Sequence, residues 1–329
     1  MRRTFALASL LLLASTFAFA ENATRSFEGT YTATITKIPV DAGVLNVWIP
    51  IPTTREDQQI TDVKIDSAYS WKRMREKEFG DEYIVATIPA PQTGEFTVKV
   101  TFRATRHNVA YSDLANVTLS KRELARALRA DRLVTISPRI VKLADQITAG
   151  KTNVTDQARA IYDYLASTMK YDKTIPGWGN GDTERACDIK AGNCTDFHSF
   201  FMSLARAKGI PARFLIGFPL PAASGKSPGY HCWAEFYDGH AWVPIDASEA
   251  SKSTDPAVRA FLFGNLGADR IEFTRGRDLT LNPPTSEPVN YFLYPRAEAK
   301  GKVVGTPSIS LEVRDINTGG TPAAASGGR

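Results

Sequence analysis

Asp238-Gly239 is the pivot of this chain. On one side Tyr230 to Tyr237 (YHCWAEFY) alternates and is rich in aromatics, and on the other His240 to Asp246 (HAWVPID) resumes an extended pattern. Asp-Gly between two such runs predicts a two-residue type I′ turn joining an antiparallel hairpin. With Tyr237 facing His240, paired residue numbers sum to 477 along the ladder, and His231 and Asp246 satisfy the same sum. Directly opposed residues share a face, with Cβ atoms roughly 4.5–5.5 Å apart. An imidazole is therefore expected against a carboxylate that orients the ring, fixes its tautomer and stabilises its charged form. Alternation sends Cys232 to the opposite face.

A thiol precedes this hairpin. Gly192-Asn193 reads as a break, after which Cys194 to Lys208 (CTDFHSFFMSLARAK) carries Phe197, Phe201, Leu204 and Ala205 at helical spacing and stops at Gly209. Cys194 then stands at a helix N-terminus, where unpaired amides and the positive end of the dipole favour a thiolate. The same amides suit an oxyanion developing during acyl transfer. A lone Cys is more often a small buried hydrophobe, and Asp246 alone could simply end a strand; their joint placement with His231 argues for chemistry.

The runs KAGNCTDFHSFFMSLARAKGIPARFLIGF and HCWAEFYDGHAWVPIDAS resemble the core of the transglutaminase-like superfamily. The stretches RIEFTRGRDLTL and VNYFLYPRAEAKGK are similar to the end of bacterial members, so the likeness covers roughly residues 155–300. The resemblance implies a papain-like α+β fold, helices packed on an antiparallel sheet, with Cys194 as nucleophile, His231 as base and Asp246 as orienting acid. It also implies an indole donor to the oxyanion, for which Trp178 in IPGWGNG is the candidate. The implied activity is acyl transfer from an amide of a protein or peptide substrate, as peptidase, deamidase or protein-glutamine transferase. No cofactor is implied. The superfamily also has members that have lost the chemistry, so a catalytically idle binding or scaffold protein is the competing reading.

Weaker candidates surround these. His198 lies four residues after Cys194 on the same helical face, but Cys194, His198 and His231 lack the second ligand pair of a recognisable zinc motif, and no metal is expected. His107 and His240 read as solvated, and Trp48, Trp71, Trp233 and Trp242 as core or interface aromatics. Three cysteines leave several states open: a Cys187–Cys232 bridge, a Cys187–Cys194 bridge, or three free thiols, the last being preferred.

Arg2 and Arg3 ahead of the apolar stretch Phe5 to Phe19, with Ala18-Phe19-Ala20 before Glu21, read as a secretory signal peptide over residues 1–20. The expected location is secreted or periplasmic. The stretch is too short for a membrane span, and no span is expected elsewhere. Loss of Arg2 and Arg3 takes the formal charge from +5 to +3, and the run Lys121 to Arg132 is broken by acids and apolar residues, so nucleic acid is not an expected partner. Oligomeric state stays open.

Residues 21–110 show strand-like runs punctuated by Pro and Gly (FEGTYTATITKI, VLNVWIPIP, TDVKID, EYIVATIP, GEFTVKVTFRAT), the pattern of a small β-sandwich. Residues 111–315 are expected to form the catalytic α+β domain, beginning with helices capped at Ser120 and Ser137 and one over Thr155 to Met169. The Gly- and Ala-rich stretch 316–329 is expected to be disordered.

Overall fold

The computed structural model describes residues 23–39, 41–89 and 94–316. The signal peptide expected at 1–20 and, apart from Ile316, the tail expected at 316–329 lie outside these residues.

Six strands come first: β1 (Thr24–Thr36), β2 (Val44–Ile51), β3 (Gln58–Ser67), β4 (Trp71–Arg75), β5 (Glu82–Pro89) and β6 (Phe96–His107). Alternation builds them, as in β1, where Phe27, Gly29, Tyr31, Ala33 and Ile35 are buried and the residues between them are not. A helical stretch follows, with α1 (Lys121–Leu128), α2 (Pro138–Ile147) and α3 (Val154–Thr168). Ser120 and Glu123 form the expected capping box, and Ser137 caps α2 ahead of Pro138. Next come β7 (Lys170–Tyr171), α4 (Thr183–Ile189), β8 (Ala191–Gly192), α5 (Cys194–Ala207), β9 (Ala212–Pro219), β10 (Gly225–Lys226), β11 (His231–Tyr237) and β12 (Trp242–Ile245). The chain ends with α6 (Ala247–Lys252), α7 (Pro256–Phe261), β13 (Arg270–Arg275), β14 (Arg296–Ala299), β15 (Lys302–Val303) and β16 (Thr306–Asp315).

The fold is α+β, with an antiparallel sheet ordered β12-β11-β9-β13 carrying α5 on one face. Two five-stranded sheets, ordered β10-β16-β1-β6-β3 and β15-β14-β2-β5-β4, make the sandwich. Here the expected boundary at 111–315 needs correcting. β16 pairs with β1 (Tyr31 opposite Leu311) and β14 pairs with β2 (Arg296 opposite Trp48), so residues 296–315 complete the sheets of the N-terminal strands. Each of those strands had a free edge, and a returning segment satisfies its backbone groups.

Sandwich and core share one apolar interior. Phe273 of β13 meets Tyr31 at 5.0 Å, Phe218 at 5.2 Å and Phe102 at 6.1 Å between ring centroids. Ion pairs stitch the same junction: Arg55 bridges Asp81 and Glu272 in the interior, and buried Arg275 joins Glu272 to Glu56, whose side chain is exposed. Trp48 and Trp233 are core residues as expected, whereas Trp71 is largely exposed on the outer strand β4. No helix among the described residues is long and apolar enough to cross a membrane.

Candidate active site

Cys194 is the first residue of α5, with Asn193 as its N-cap. Asn193 Oδ1 accepts from Thr195 N at 2.9 Å, while Asp196, at the third helical position, returns Oδ2 to Asn193 N at 2.9 Å. This reciprocal cap pins the turn that presents the sulfur. Asp196 does more, accepting from Gly179 N at 2.7 Å and Gly181 N at 3.1 Å, so the loop bearing Trp178 is tied to the same helix end. Gly192 is required beside it, because a Cβ there would stand 2.2 Å from Asp196 Oδ2. The short parallel pair β7–β8 sets Tyr171 opposite Gly192.

His231 opens β11, and its Nε2 lies 2.7 Å from Asp246 Oδ2. The expected register is corrected: Tyr237 pairs with Trp242 and Ala234 with Ile245, so the ladder is shifted by two residues. The turn is longer than Asp-Gly alone because the Asp238 carboxylate accepts from both His240 N and Ala241 N at 2.8 and 2.7 Å, an Asx-type turn competing with the type I′ geometry. A shift of two preserves the face, so His231 and Asp246 become diagonal rather than opposed neighbours, still within reach of each other's side chains.

Asp246 also caps α6. Its Oδ1 accepts from Ser248 Oγ and Glu249 N, both at 3.0 Å, and its Oδ2 from Arg270 at 2.8 Å. Burial alone would raise this carboxyl, but the charge of His231, hydrogen bonds with His198 and His231, and the charge of Arg270 hold it well below the usual carboxylate range. Burial likewise opposes charge on His231, yet Asp246 and hydrogen bonds to Asp246 and Cys194 push the imidazole up to about 10. With Nε2 committed to Asp246, Nδ1 is the ring nitrogen left for Cys194. Burial pushes the Cys194 thiol up, but hydrogen bonds from Cys232 and His231 and the imidazole charge outweigh it and hold it well below its ordinary value.

Cys232 faces the side of the sheet covered by α5, with Sγ 3.6 Å from Thr195 Oγ1, and burial keeps it a thiol, able to donate to the neighbouring sulfur. Cys194 opens its helix and His231 its strand, so the two meet where both elements begin, although alternation separates Cys232 from His231. All three cysteines are free thiols. His198 is fully buried, its Nδ1 2.8 Å from Cys194 O and its Nε2 in a long 3.5 Å contact with Asp246 Oδ1. A carbonyl partner makes Nδ1 the donor. Among the described residues no group of three or more His, Cys, Asp or Glu is arranged to hold a metal ion.

At His231 opens a cleft of about 610 Å³, bordered also by Tyr171, Trp178, Tyr230, Arg270 and Tyr294, and by Ile309 of the sandwich. Trp178 is 37% exposed there. Residues 141–247 match the family model described as the transglutaminase-like superfamily. The chain belongs to that superfamily. A Haemophilus influenzae protein with no functional name is 30% identical over 301 residues, covering 79% of this chain and 82% of the relative. The crystal structure of a "Putative Cysteine Protease" from Cytophaga hutchinsonii superposes with a TM-score of 0.63 at 17% identity, covering 92% of this chain and 95% of that one. Both the sandwich and the transglutaminase-like core are thus shared with that structure as a fold.

Sequence reasoning missed Asp196, Arg270, Tyr171 and Tyr230. Asp196 was legible, since Asn193-x-x-Asp196 is a variant of the capping box. Arg270 carries no local signal, because its partner lies 24 residues away across the sheet.

Proposed function

We propose that this transglutaminase-like chain is an exported thiol enzyme acting on amide bonds through an acyl-enzyme. Cys194 attacks the carbonyl, His231 moves the proton and Asp246 holds the imidazole. The observation that carries the reading is the 2.7 Å bond between Asp246 and His231 Nε2, which leaves the opposite nitrogen for a thiol at the first residue of a helix. Trp178, on the cleft wall, is the indole that family likeness offers to the oxyanion. Export is supported by the leader-like residues 1–20.

A protein or peptide substrate suits an open cleft with aromatic walls. Release of the acyl group to water makes a peptidase or deamidase, and release to an amine makes a cross-linking transferase. An idle scaffold is the weaker reading, since a chain without chemistry has no need of a buried carboxylate, imidazole and lowered thiol in one line.

Alkylation of Cys194 by iodoacetamide across pH tests this. The wild type is expected to react well below pH 8.5, the ordinary thiol pKa, and His231→Ala to return the profile to about 8.5. An ordinary profile, unchanged by the substitution, would sink the proposal. Mass-spectrometric trapping of the acyl-enzyme from extracts of the native envelope then identifies the donor.

A further inference from the structure

Tyr230 precedes the base by one residue and has no role in the chemistry above. Its hydroxyl oxygen lies 2.6 Å from Asn193 Nδ2 and 3.5 Å from Thr195 Oγ1, the side chains on either side of Cys194. The phenol oxygen therefore sits over the first turn of α5. There the Cys194 N–H, first in the helix, has no carbonyl four residues back to receive it. Because Asn193 Oδ1 is taken by Thr195 N, the atom facing Tyr230 is the amide nitrogen, which donates. The phenol is thus an acceptor toward Asn193 and keeps its own hydrogen, which a 3.5 Å contact with Thr195 is too long to hold firmly. The ring is braced edge-on against Tyr294 at 6.0 Å, and both rings border the cleft. Burial and the nearby Cys194 sulfur push the phenol well up, so it stays protonated.

We propose that Tyr230 is a catalytic residue, its hydroxyl being the donor that joins the Cys194 amide in holding the oxyanion formed when the Cys194 thiolate adds to a substrate carbonyl. This rests on the acyl-transfer reading above. In that step the sulfur lone pair forms the C–S bond and the carbonyl π pair moves to oxygen, whose charge the two hydrogen bonds carry without proton transfer. When the pair returns, the bond to the leaving group breaks, and an amine leaving group takes its proton from His231. Trp178 is the less suitable donor: its ring is 37% exposed under Lys173 Nζ at 5.8 Å, with no bond to the residues flanking Cys194 among the described residues.

The test uses the full chain, 4-nitrophenyl acetate and iodoacetamide. Ester acylation passes through an oxyanion, whereas alkylation at a saturated carbon does not. Tyr230→Phe is expected to slow 4-nitrophenolate release about 10²-fold while the alkylation rate and its pH profile match wild type. Equal acylation in wild type and Tyr230→Phe overturns the assignment. So does a parallel loss of alkylation, which marks a role in setting the thiol. A wild type that is alkylated but never acylated overturns the acyl-transfer reading itself, and the Tyr230 assignment with it.

Discussion

At the residue scale, Asp246 governs the site. Its carboxylate takes bonds from His231, Arg270, Ser248 and the Glu249 amide, so it pays the cost of its own burial while fixing the ring. Asp246→Asn removes the charge that lifts His231 to about 10. The sign is definite: a histidine raised by an anion stays protonated until pH climbs through the folded-state value, and without the anion it loses its proton sooner. Titration of His231 by NMR is expected to show a midpoint near 10 in wild type and one displaced toward the ordinary value of about 6.5 in the variant. Acylation is expected to fall about 10³–10⁴-fold, as when the orienting carboxylate of a triad is neutralised. An unmoved midpoint would contradict the assignment of Nε2 to Asp246.

At the scale of elements, the first turn of α5 is the device that aims the sulfur. Asp196 closes the cap and holds the amides of Gly179 and Gly181, coupling the helix end to the loop that borders the cleft. Asp196→Ala leaves these buried donors without partners, for an expected loss of about 3 kcal/mol in urea unfolding. The same variant should be cut faster by proteases between Asp172 and Asp182, and Asp196→Asn should fall between it and wild type because it keeps one acceptor oxygen. Equal stability of all three would mean that the loop is held by other contacts. The hairpin teaches a complementary lesson. Its aromatic strands and its turn were legible, but the register was not, because the Asp238 side chain replaces backbone bonds in the turn. The pairing of His231 with Asp246 survived that error because a two-residue slip keeps the face.

At the scale of the whole molecule, the C-terminal strands decide integrity. β16 covers one edge of β1, and β14 covers one edge of β2. Leu311 and Val313 of β16 are buried in the shared core. A chain ending at Pro295 is therefore expected to lose cooperative melting by circular dichroism and to elute as an expanded or aggregated species. Retention of the wild-type melting curve would show that the sandwich stands without its returning strands. Because Ile309 of β16 borders the cleft, the sandwich also forms part of the cleft wall.

Periodicity and end signals are local properties, and they were enough to assign the α+β class, the capped helices, the sandwich strands and the positions of Cys194, His231 and Asp246. Which strand pairs with a distant edge, which arginine reaches Asp246 and which phenol rests over the first turn of α5 depend on contacts between segments tens to hundreds of residues apart. Such contacts arise from edge satisfaction and burial in three dimensions, and neither leaves a period or a spacing along the chain.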